Sequence, residues 1–313
     1  MAHYKTDHAF TGEIKGGALE PTFSGALSFM RRRFTRDLSG IDVAIWGVPF
    51  DCATSNRPGA RFGPQAIRRA SAILDGDPQY PSGKDPFENL SVIDWGDCAI
   101  DHARPQGVAQ TIQTHAESIL SSSAQLITLG GDHAITLPLL RAHVKRHGPL
   151  ALVQFDAHQD TWDPGPHGFS HGSFVREAVR EGLIDVPHSI QIGIRTIAPE
   201  TCGIEIIDAY RCQEIGVNGM IDSIKHRVSS KPAYLTVDID VLDPAYAPGT
   251  GTPVSGGLTS GQLLMTLNKI IDLDWRGMDI VEVAPAYDHA DITAIAASTV
   301  VQHYLQGLAK RHN

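Results

Sequence analysis

The sequence predicts a single three-layer α/β/α domain built on a mainly parallel sheet of about eight strands. Apolar, β-branched runs recur along the chain and end in polar or Gly-rich residues, and a helical segment usually follows each run. Strands that alternate with helices in this way are typical of βαβ units and a parallel sheet. The runs are continuously apolar rather than alternating, which indicates strands buried on both faces.

Each predicted strand is one of these apolar runs, and each predicted helix is a segment between two of them. The eight runs span residues 42–50, 90–97, 125–133, 150–158, 189–196, 203–209, 234–244 and 277–287. The predicted helices span residues 64–74, 105–121, 136–147, 173–181, 219–228 and 260–272.

The domain organisation is predicted to be simple. Length alone, at 313 residues, would allow about two domains. The sequence has neither internal repeats nor a low-complexity linker, and we find no break in the strand–helix pattern at which to divide it. We expect residues 1–40 to form an irregular N-terminal arm with one short helix, and residues 41–313 to form the domain.

Composition and charge exclude several classes of function. The formal charge is −9, and the contents of 42% hydrophobic and 19% charged residues are ordinary for a soluble globular protein. Because the sequence has no basic tract, neither nucleic acid nor an anionic membrane is an expected partner. We interpret the short cluster Arg31–Arg33 as a solvated helix face.

The sequence also bears on the compartment. No apolar run approaches the roughly 20 residues of a membrane span, and the start MAHYKTDHAF lacks the apolar core of a signal peptide. The four cysteines are scattered without CxxC spacing, which favours neither a disulfide framework nor a zinc site. The expected location is therefore the cytoplasm.

The stretch FDAHQD, residues 155–160, places three metal-ligand side chains at alternate positions after an apolar run. In an extended chain, Asp156, His158 and Asp160 would leave the end of a buried strand in the same direction. A packing role explains this arrangement poorly, because buried carboxylates are costly unless they are paired or bound to a metal.

Two further motifs end predicted strands in the same way. Asp238 and Asp240 lie two residues apart in VDID, and His133 closes GGDH. Function in parallel sheets gathers at the carboxyl ends of the strands. Taken singly, each Asp or His could equally be a helix cap or a core hydrogen-bonding group, but the motifs together predict one cluster.

The charge of this cluster predicts two divalent cations. Four carboxylates on one rim would carry about −4, and like charges this close do not all stay ionised alone. Oxygen-rich ligation with two imidazoles favours Mn²⁺, with Co²⁺, Ni²⁺ or Zn²⁺ as substitutes. Two metals about 3.5–4 Å apart can share a bridging hydroxide, which is a nucleophile available near neutral pH.

The motifs GGDH, FDAHQD and VDIDVLDP, in this order and near these spacings, resemble those of the ureohydrolases, which include arginase, agmatinase and their relatives. The resemblance runs from about Gly47 to the C-terminus, and the bacterial agmatinases are the most similar group. It implies an arginase-like fold with two Mn²⁺ per subunit. Further matching segments are RPGARFGPQAIR (57–68), QIGIR (191–195), APGTGTPVSGGLT (247–259) and EVAPAYD (282–288).

The resemblance assigns the metal ligands residue by residue, with Asp156 and Asp238 bridging the two ions. One ion would be held by His133, Asp156, Asp160 and Asp238. The other ion would be held by His158, Asp156, Asp238 and Asp240.

The resemblance also implies the reaction, which is hydrolysis of agmatine to putrescine and urea. Its catalytic residues would be His171, Glu282 and Asp160. A guanidinium is a poor electrophile that stays protonated at neutral pH, and Glu282 would orient it by charge-assisted hydrogen bonds. His171 would protonate the amine leaving group, and Thr252 would line the pocket.

The loop after Asp160 bears on which guanidine is bound. Trp162 and Asp163 are expected at the pocket mouth, where arginase-like members use Asn and Ser to hold an amino-acid carboxylate. An acidic residue in a loop without Lys or Arg favours the cationic tail of agmatine. Trp162 replaces the Tyr that is typical of agmatinases, and Gln159 replaces a small residue, so both departures bear on the substrate.

The sequence also allows alternatives to agmatine hydrolysis. One is the same chemistry on a carboxylated guanidine, 4-guanidinobutyrate or 3-guanidinopropionate, for which Arg57 in another loop could reach the pocket. Another is a non-catalytic, regulatory ureohydrolase-like protein, although the complete ligand set counts against it. A deacetylase-type relative is disfavoured because it would keep one zinc site. The resemblance implies a homotrimer or homohexamer that binds a small-molecule guanidine.

Overall fold

The computed structural model of the protein describes residue 9 and residues 22–75, 79–165 and 168–311. Within these residues the strands form one sheet. They are β1 (Arg33–Phe34), β2 (Val43–Val48), β3 (Val92–Asp97), β4 (Gln125–Gly130), β5 (Ala151–Phe155), β6 (Ile190–Ile194), β7 (Glu205–Asp208), β8 (Ala233–Asp238) and β9 (Trp275–Val281).

The strand order is β1-β3-β2-β4-β9-β8-β5-β6-β7, and all neighbouring strands are parallel. The direction in which the chain adds strands reverses in the middle of the sheet, where β9 and β8 separate β4 from β5. The carboxyl ends of these four central strands meet at one edge, which is where ligands bind in open α/β sheets. Every residue of β5 and β8 is buried, in agreement with their continuous apolar sequence.

Helices cover both faces of this sheet, each with its own hydrophobic cluster. The predicted three-layer fold is therefore confirmed, with nine described strands where about eight were predicted. One face carries α1 (Gly63–Ser71), α5 (Ala209–Val228), α6 (Ser260–Lys269) and α7 (Ile292–Arg311), and the other carries α2 (Val108–Leu120), α3 (Thr136–His147) and α4 (Phe174–Arg180).

Two helices differ from the sequence-based expectation. Helix α7 was not predicted, because its residues are buried almost all round and show no amphipathic period. Helix α5 begins ten residues before the predicted start at residue 219. Gly216 lies inside α5 with a φ of +63°, which interrupts the helical geometry and divides the pattern.

Much of the predicted N-terminal arm lies outside the described residues. Its described part includes the 3₁₀ helix Phe29–Arg31 and strand β1, which pairs with β3 at the sheet edge. The interpretation of Arg31 and Arg32 as a solvated helix face is wrong, because both side chains are buried. The guanidinium of Arg32 stacks 3.8 Å from the ring centre of Phe87.

No helix among the described residues has both the length and the apolar composition needed to cross a bilayer. Cys52, Cys98, Cys202 and Cys212 are all free thiols.

A buried ion pair joins α1 to β3. Arg68 donates from Nε and Nη2 to the two carboxylate oxygens of Asp94 at 2.7 and 3.0 Å, and from Nη1 to Asp97 at 2.6 Å. Asp94 also accepts the backbone N–H of Phe29 at 2.8 Å. The pair therefore holds α1 and the segment before β1 against the sheet.

Replacement of Arg68 by Ala should lower the free energy of unfolding by about 3–5 kcal/mol, because Asp94 would stay buried without its cation. The matched control is Arg69→Ala, since the pair of Arg69 with Asp291 is exposed on both sides and should contribute about 1 kcal/mol or less. Denaturant unfolding followed by circular dichroism measures both. Equal losses in the two variants would contradict this role of the buried pair.

Candidate active site

Polar side chains follow the carboxyl ends of the four central strands. His133 follows β4, Asp156 directly follows β5, Asp238 ends β8, and Glu282 directly follows β9. Glu282 and Asp160 have φ values of +64° and +52°, in the left-handed region that L-residues rarely adopt. Both side chains are buried and both contact His133. Backbone strain of this kind concentrates at functional sites, where the surrounding structure holds the residue in place.

His133 lies among three carboxylates. Its Nδ1 is 3.0 Å from Oδ2 of Asp156, 2.9 Å from Oδ2 of Asp160 and 3.3 Å from Oδ2 of Asp238. Although these oxygens are close, none lies at an angle suited to a hydrogen bond with Nδ1. A buried imidazole nitrogen surrounded by carboxylate oxygens suits a metal ion better than a proton donor.

A second group, formed by His158, Asp240 and Asp156, shares Asp156 with the first. Nδ1 of His158 lies 3.0 Å from Oδ2 of Asp240 and 3.5 Å from Oδ1 of Asp156. The two oxygens of Asp156 therefore face different histidines, which is the geometry of a bridging carboxylate. Asp238 turns Oδ2 towards His133, while its Oδ1 accepts the backbone N–H of Asp240 at 2.8 Å.

The charges of this cluster require compensation by cations. Burial and the charge of Asp156 raise the pKa of Asp160 to about 7. Burial and the charge of Asp240 raise the pKa of Asp238 well above its usual range. Burial opposes protonation of His158, but Asp240 outweighs it and raises that pKa to about 12. The cluster thus favours proton uptake to offset its negative charge, and two divalent cations would offset the same charge, so the residues fit a binuclear metal centre.

Glutamine side chains support the cluster from behind. Gln154 donates from Nε2 to Oδ2 of Asp156 at 2.7 Å, and Gln191 donates to Oε1 of Gln154 at 2.7 Å. Gln159 is buried, and its side-chain oxygen accepts the backbone N–H of Ala198 at 2.5 Å. The side chain of Gln159 therefore holds the loop after β6 and is not among the described residues that line the cavity over the cluster.

Glu282 links the cluster to His171. Its Oε1 accepts the backbone N–H of His133 at 2.9 Å and lies 3.0 Å from Nδ1 of His171. Its Oε2 is buried and has no hydrogen-bond partner among the described residues. An unpaired, buried carboxylate oxygen is costly unless a ligand satisfies it.

Glu282 and Ser55 have opposite effects on the protonation of His171. Burial disfavours the imidazolium, but the hydrogen bond and the charge of Glu282 outweigh it and raise the pKa of His171 to about 9. The backbone N–H of Ser55 donates to Nε2 at 3.0 Å, which requires a lone pair there and so favours the neutral ring. His171 is thus placed to hold and to release a proton in the range that acid–base catalysis uses.

A cavity of about 330 Å³ opens over the cluster. The predicted substrate contacts Trp162 and Thr252 line it, and Oγ1 of Thr252 donates to Oδ2 of Asp240 at 3.3 Å. The described lining consists of Ser55, His133, His158, Asp160, Trp162, Ser170, His171, Gly172, Asp238 and Thr252.

The structure does not bring Asp163 to this cavity. Its side chain is 73% exposed, and its Oδ2 lies 3.6 Å from Nη2 of Arg176. Because Arg176 offsets part of the negative charge, the expected acidic mouth is weaker than the sequence alone indicates. Pro166 and His167, in the same predicted mouth loop, lie outside the described residues.

The sequence analysis missed residues that no motif marks. Thr236 precedes Asp238 by two positions in β8, so the period of a strand could have placed both on one face. Asp279 is a carboxylate inside the apolar run of β9, and a charged residue in such a run indicates a buried polar interaction. Ser55 comes from a loop and carries no comparable signal.

The sequence of this chain matches a known family and known relatives. A model of the arginase family matches residues 41–306. Agmatinase from Chromobacterium violaceum is 50% identical to this chain over 289 residues, which cover 92% of this chain and 90% of that protein.

Solved structures agree with the sequence comparison. The crystal structure of a hypothetical agmatinase from Burkholderia thailandensis superposes with a TM-score of 0.94 at 49% identity and covers 98% of both chains. Proclavaminate amidino hydrolase from Streptomyces clavuligerus superposes with a TM-score of 0.86 at 39% identity, over 93% of this chain and 99% of that one. The family match spans most of the sequence and the relatives match it nearly end to end, so the chain belongs to the arginase family, the ureohydrolases.

Proposed function

We propose that the protein hydrolyses agmatine to putrescine and urea, with two Mn²⁺ ions held by the two carboxylate–histidine groups. The observation that carries this proposal is Oε2 of Glu282, which is buried and unpaired among the described residues, while Oε1 of the same carboxylate accepts the backbone N–H of His133. A planar cation fits such an oxygen, and relatives named agmatinase support agmatine as that cation.

The metal centre would supply the nucleophile. When bound, two divalent cations would lower the pKa of a water molecule to near neutrality and so make a nucleophile available. The protein's part would be to concentrate buried carboxylates at the carboxyl ends of the central strands and to keep them oriented. The proposed ligands are His133, Asp156, Asp160 and Asp238 for one ion, and His158, Asp156, Asp238 and Asp240 for the other.

Glu282 would bind the guanidinium group of the substrate. Its free Oε2 accepts an N–H of the cation in a charge-assisted hydrogen bond, which is stronger than a neutral one. A Cβ atom at Gly251 would lie 3.3 Å from Oε2, so the absence of a side chain there leaves room beside the carboxylate. Glu282 would thereby hold the guanidinium carbon over the metal centre.

His171 would handle the proton. Hydrolysis breaks the bond from the guanidinium carbon to the nitrogen that carries the alkyl chain, and this nitrogen needs a proton to leave as an amine. His171 lies 3.0 Å from Glu282, so the ring would be close to the nitrogens of a cation bound there. Its proximity to both Glu282 and Ser55 keeps the ring in one orientation.

The walls of the cavity favour an uncharged or cationic tail over a carboxylate. None of the described residues that line the cavity is Lys or Arg. Arg57, the cation considered for a carboxylated substrate, instead stacks 5.2 Å from the ring centre of Tyr287. Trp162 lines the cavity and offers an aromatic surface to the ammonium end of agmatine. Assembly as a homotrimer or homohexamer stays a prediction from the resemblance, and a cytoplasmic location stays a prediction from the sequence.

Urea release from Mn²⁺-loaded protein tests the function. With agmatine, arginine, 4-guanidinobutyrate and 3-guanidinopropionate as substrates, we expect agmatine to give the highest kcat/KM, because no described cation in the cavity would pair with a carboxylate. A preference for a carboxylated guanidine would keep the metal mechanism and overturn the reading of the cavity walls. No urea from any of the four would overturn the proposed substrate.

Replacement of Asp156 by Asn should remove both ions and the activity, because one residue faces both histidines. Metal content after gel filtration, measured by mass spectrometry, checks this outcome. The matched control is Asp163→Asn, an exposed carboxylate outside the cavity, which should keep both ions. Two ions retained in Asp156→Asn would show that this carboxylate does not bridge.

Replacement of His171 by Ala should leave both ions in place and lower kcat by roughly 10²–10⁴-fold, the usual range for loss of a general acid or base. Metal content and steady-state urea release measure the two effects separately. His188→Ala, at a partly exposed histidine paired with Asp185 outside the cavity, is the control and should leave kcat unchanged. An unaltered rate in His171→Ala would remove this residue from the mechanism.

A further inference from the structure

We infer that Asp279, acting through the hydroxyl of Thr236, is a positioning residue that fixes the tautomer of His133 and so sets the affinity of one metal ion. The inference rests on the metal centre of the proposed function and deepens it. Asp279 itself contacts neither the cavity nor any of the six proposed ligands.

Asp279 is a fully buried carboxylate in the middle of the sheet that accepts three hydroxyl protons. Thr236 donates to its Oδ1 at 2.5 Å. Tyr234 and Thr136 donate to its Oδ2 at 2.8 and 2.9 Å. An ionised carboxylate only accepts hydrogen bonds, so each of these hydroxyls must use its proton here.

The direction of the Thr236 hydroxyl proton determines whether Nε2 of His133 donates or accepts a hydrogen bond. A threonine hydroxyl has one proton and two lone pairs. With the proton directed to Asp279, Oγ1 presents a lone pair to Nε2 of His133, which lies 2.8 Å away. The ring must then carry its proton on Nε2 and donate it to Thr236.

This tautomer leaves Nδ1 of His133 with a bare lone pair among the carboxylates of Asp156, Asp160 and Asp238. A lone pair pointed at negative oxygens is repelled unless a cation lies between them. The opposite tautomer would place a proton on Nδ1, in the position of the ion. Asp279 therefore disfavours the ring state that competes with the metal, which is the usual work of a partner behind a histidine ligand.

His158, the other histidine of the centre, has no matching series of hydrogen bonds behind it in the described part of the chain. His158 is partly exposed at the cavity, and its Nε2 makes no hydrogen bond within the described residues. The effect of Asp279 should therefore fall mainly on one of two binding steps, which gives the experiment an internal reference.

The test is a titration of metal-free protein with Mn²⁺, with free Mn²⁺ followed by electron paramagnetic resonance. In Asp279→Asn, the amide can donate to Oγ1 of Thr236 and turn the hydroxyl proton towards His133. One of the two binding steps should then weaken by about 10–100-fold. Circular dichroism reports whether each variant is folded.

Three further variants separate positioning from packing. Thr236→Val keeps the side-chain volume but removes the hydroxyl that links Asp279 to His133, and it should weaken the same binding step. Thr236→Ser keeps the hydroxyl and should bind Mn²⁺ at that step as the native protein does. Thr136→Val removes a different hydroxyl from the same carboxylate and should leave both steps unchanged. If Asp279→Asn does not fold, the difference in Mn²⁺ affinity between Thr236→Val and Thr236→Ser still tests the inference.

The outcomes distinguish this inference from the proposed function. A native protein that binds no Mn²⁺ would overturn the metal centre and the inference with it. Two ions in the native protein with unchanged affinity in Asp279→Asn and Thr236→Val would overturn the inference alone. The same holds if Thr136→Val weakens binding as much as Thr236→Val.

Discussion

The concentration of negative charge at the carboxyl ends of the central strands is the constraint on which the rest of this structure depends. Asp156, Asp160, Asp238 and Asp240 are each at most 4% exposed, and carboxylates removed from water need a counter-charge. The neighbouring Arg195 donates to backbone carbonyls, including those of Asp240 and Val254, rather than to the carboxylates. The fold therefore gathers the charge and leaves its neutralisation to ions from solution.

The residues closest to this charge could be predicted because their signal is local. Asp156, His158 and Asp160 follow one apolar run, and the two-residue period of an extended chain was enough to give them one direction. The rule that parallel strands place their carboxyl ends at one edge then joined the motifs of β4, β5 and β8. The structure brings these side chains within hydrogen-bonding distance of one another.

The parts that escaped prediction depend on contacts between distant segments. Ser55 meets His171 across 116 positions of sequence, and Thr236 meets His133 across 103. No periodicity within one segment can encode such a pair. Helix α7 was missed for a different reason, since a helix buried on all sides carries no amphipathic pattern. The buried arginines before β1 show that a cluster of like charges near a sheet edge need not face solvent.

The left-handed backbone at Glu282 has a consequence for how such a sequence can diverge. A non-glycine residue in this region gives up about 1–2 kcal/mol, and here the side chain also brings a buried, unpaired oxygen. Glycine would relieve both, although it would also remove the acceptor of the backbone N–H of His133. A descendant freed from the proposed substrate would keep only the hydrogen bonds of Oε1 as a reason to retain Glu282. Under the proposed binding of the guanidinium group by Glu282, the glutamate would mark selection for chemistry against part of the preference of the fold.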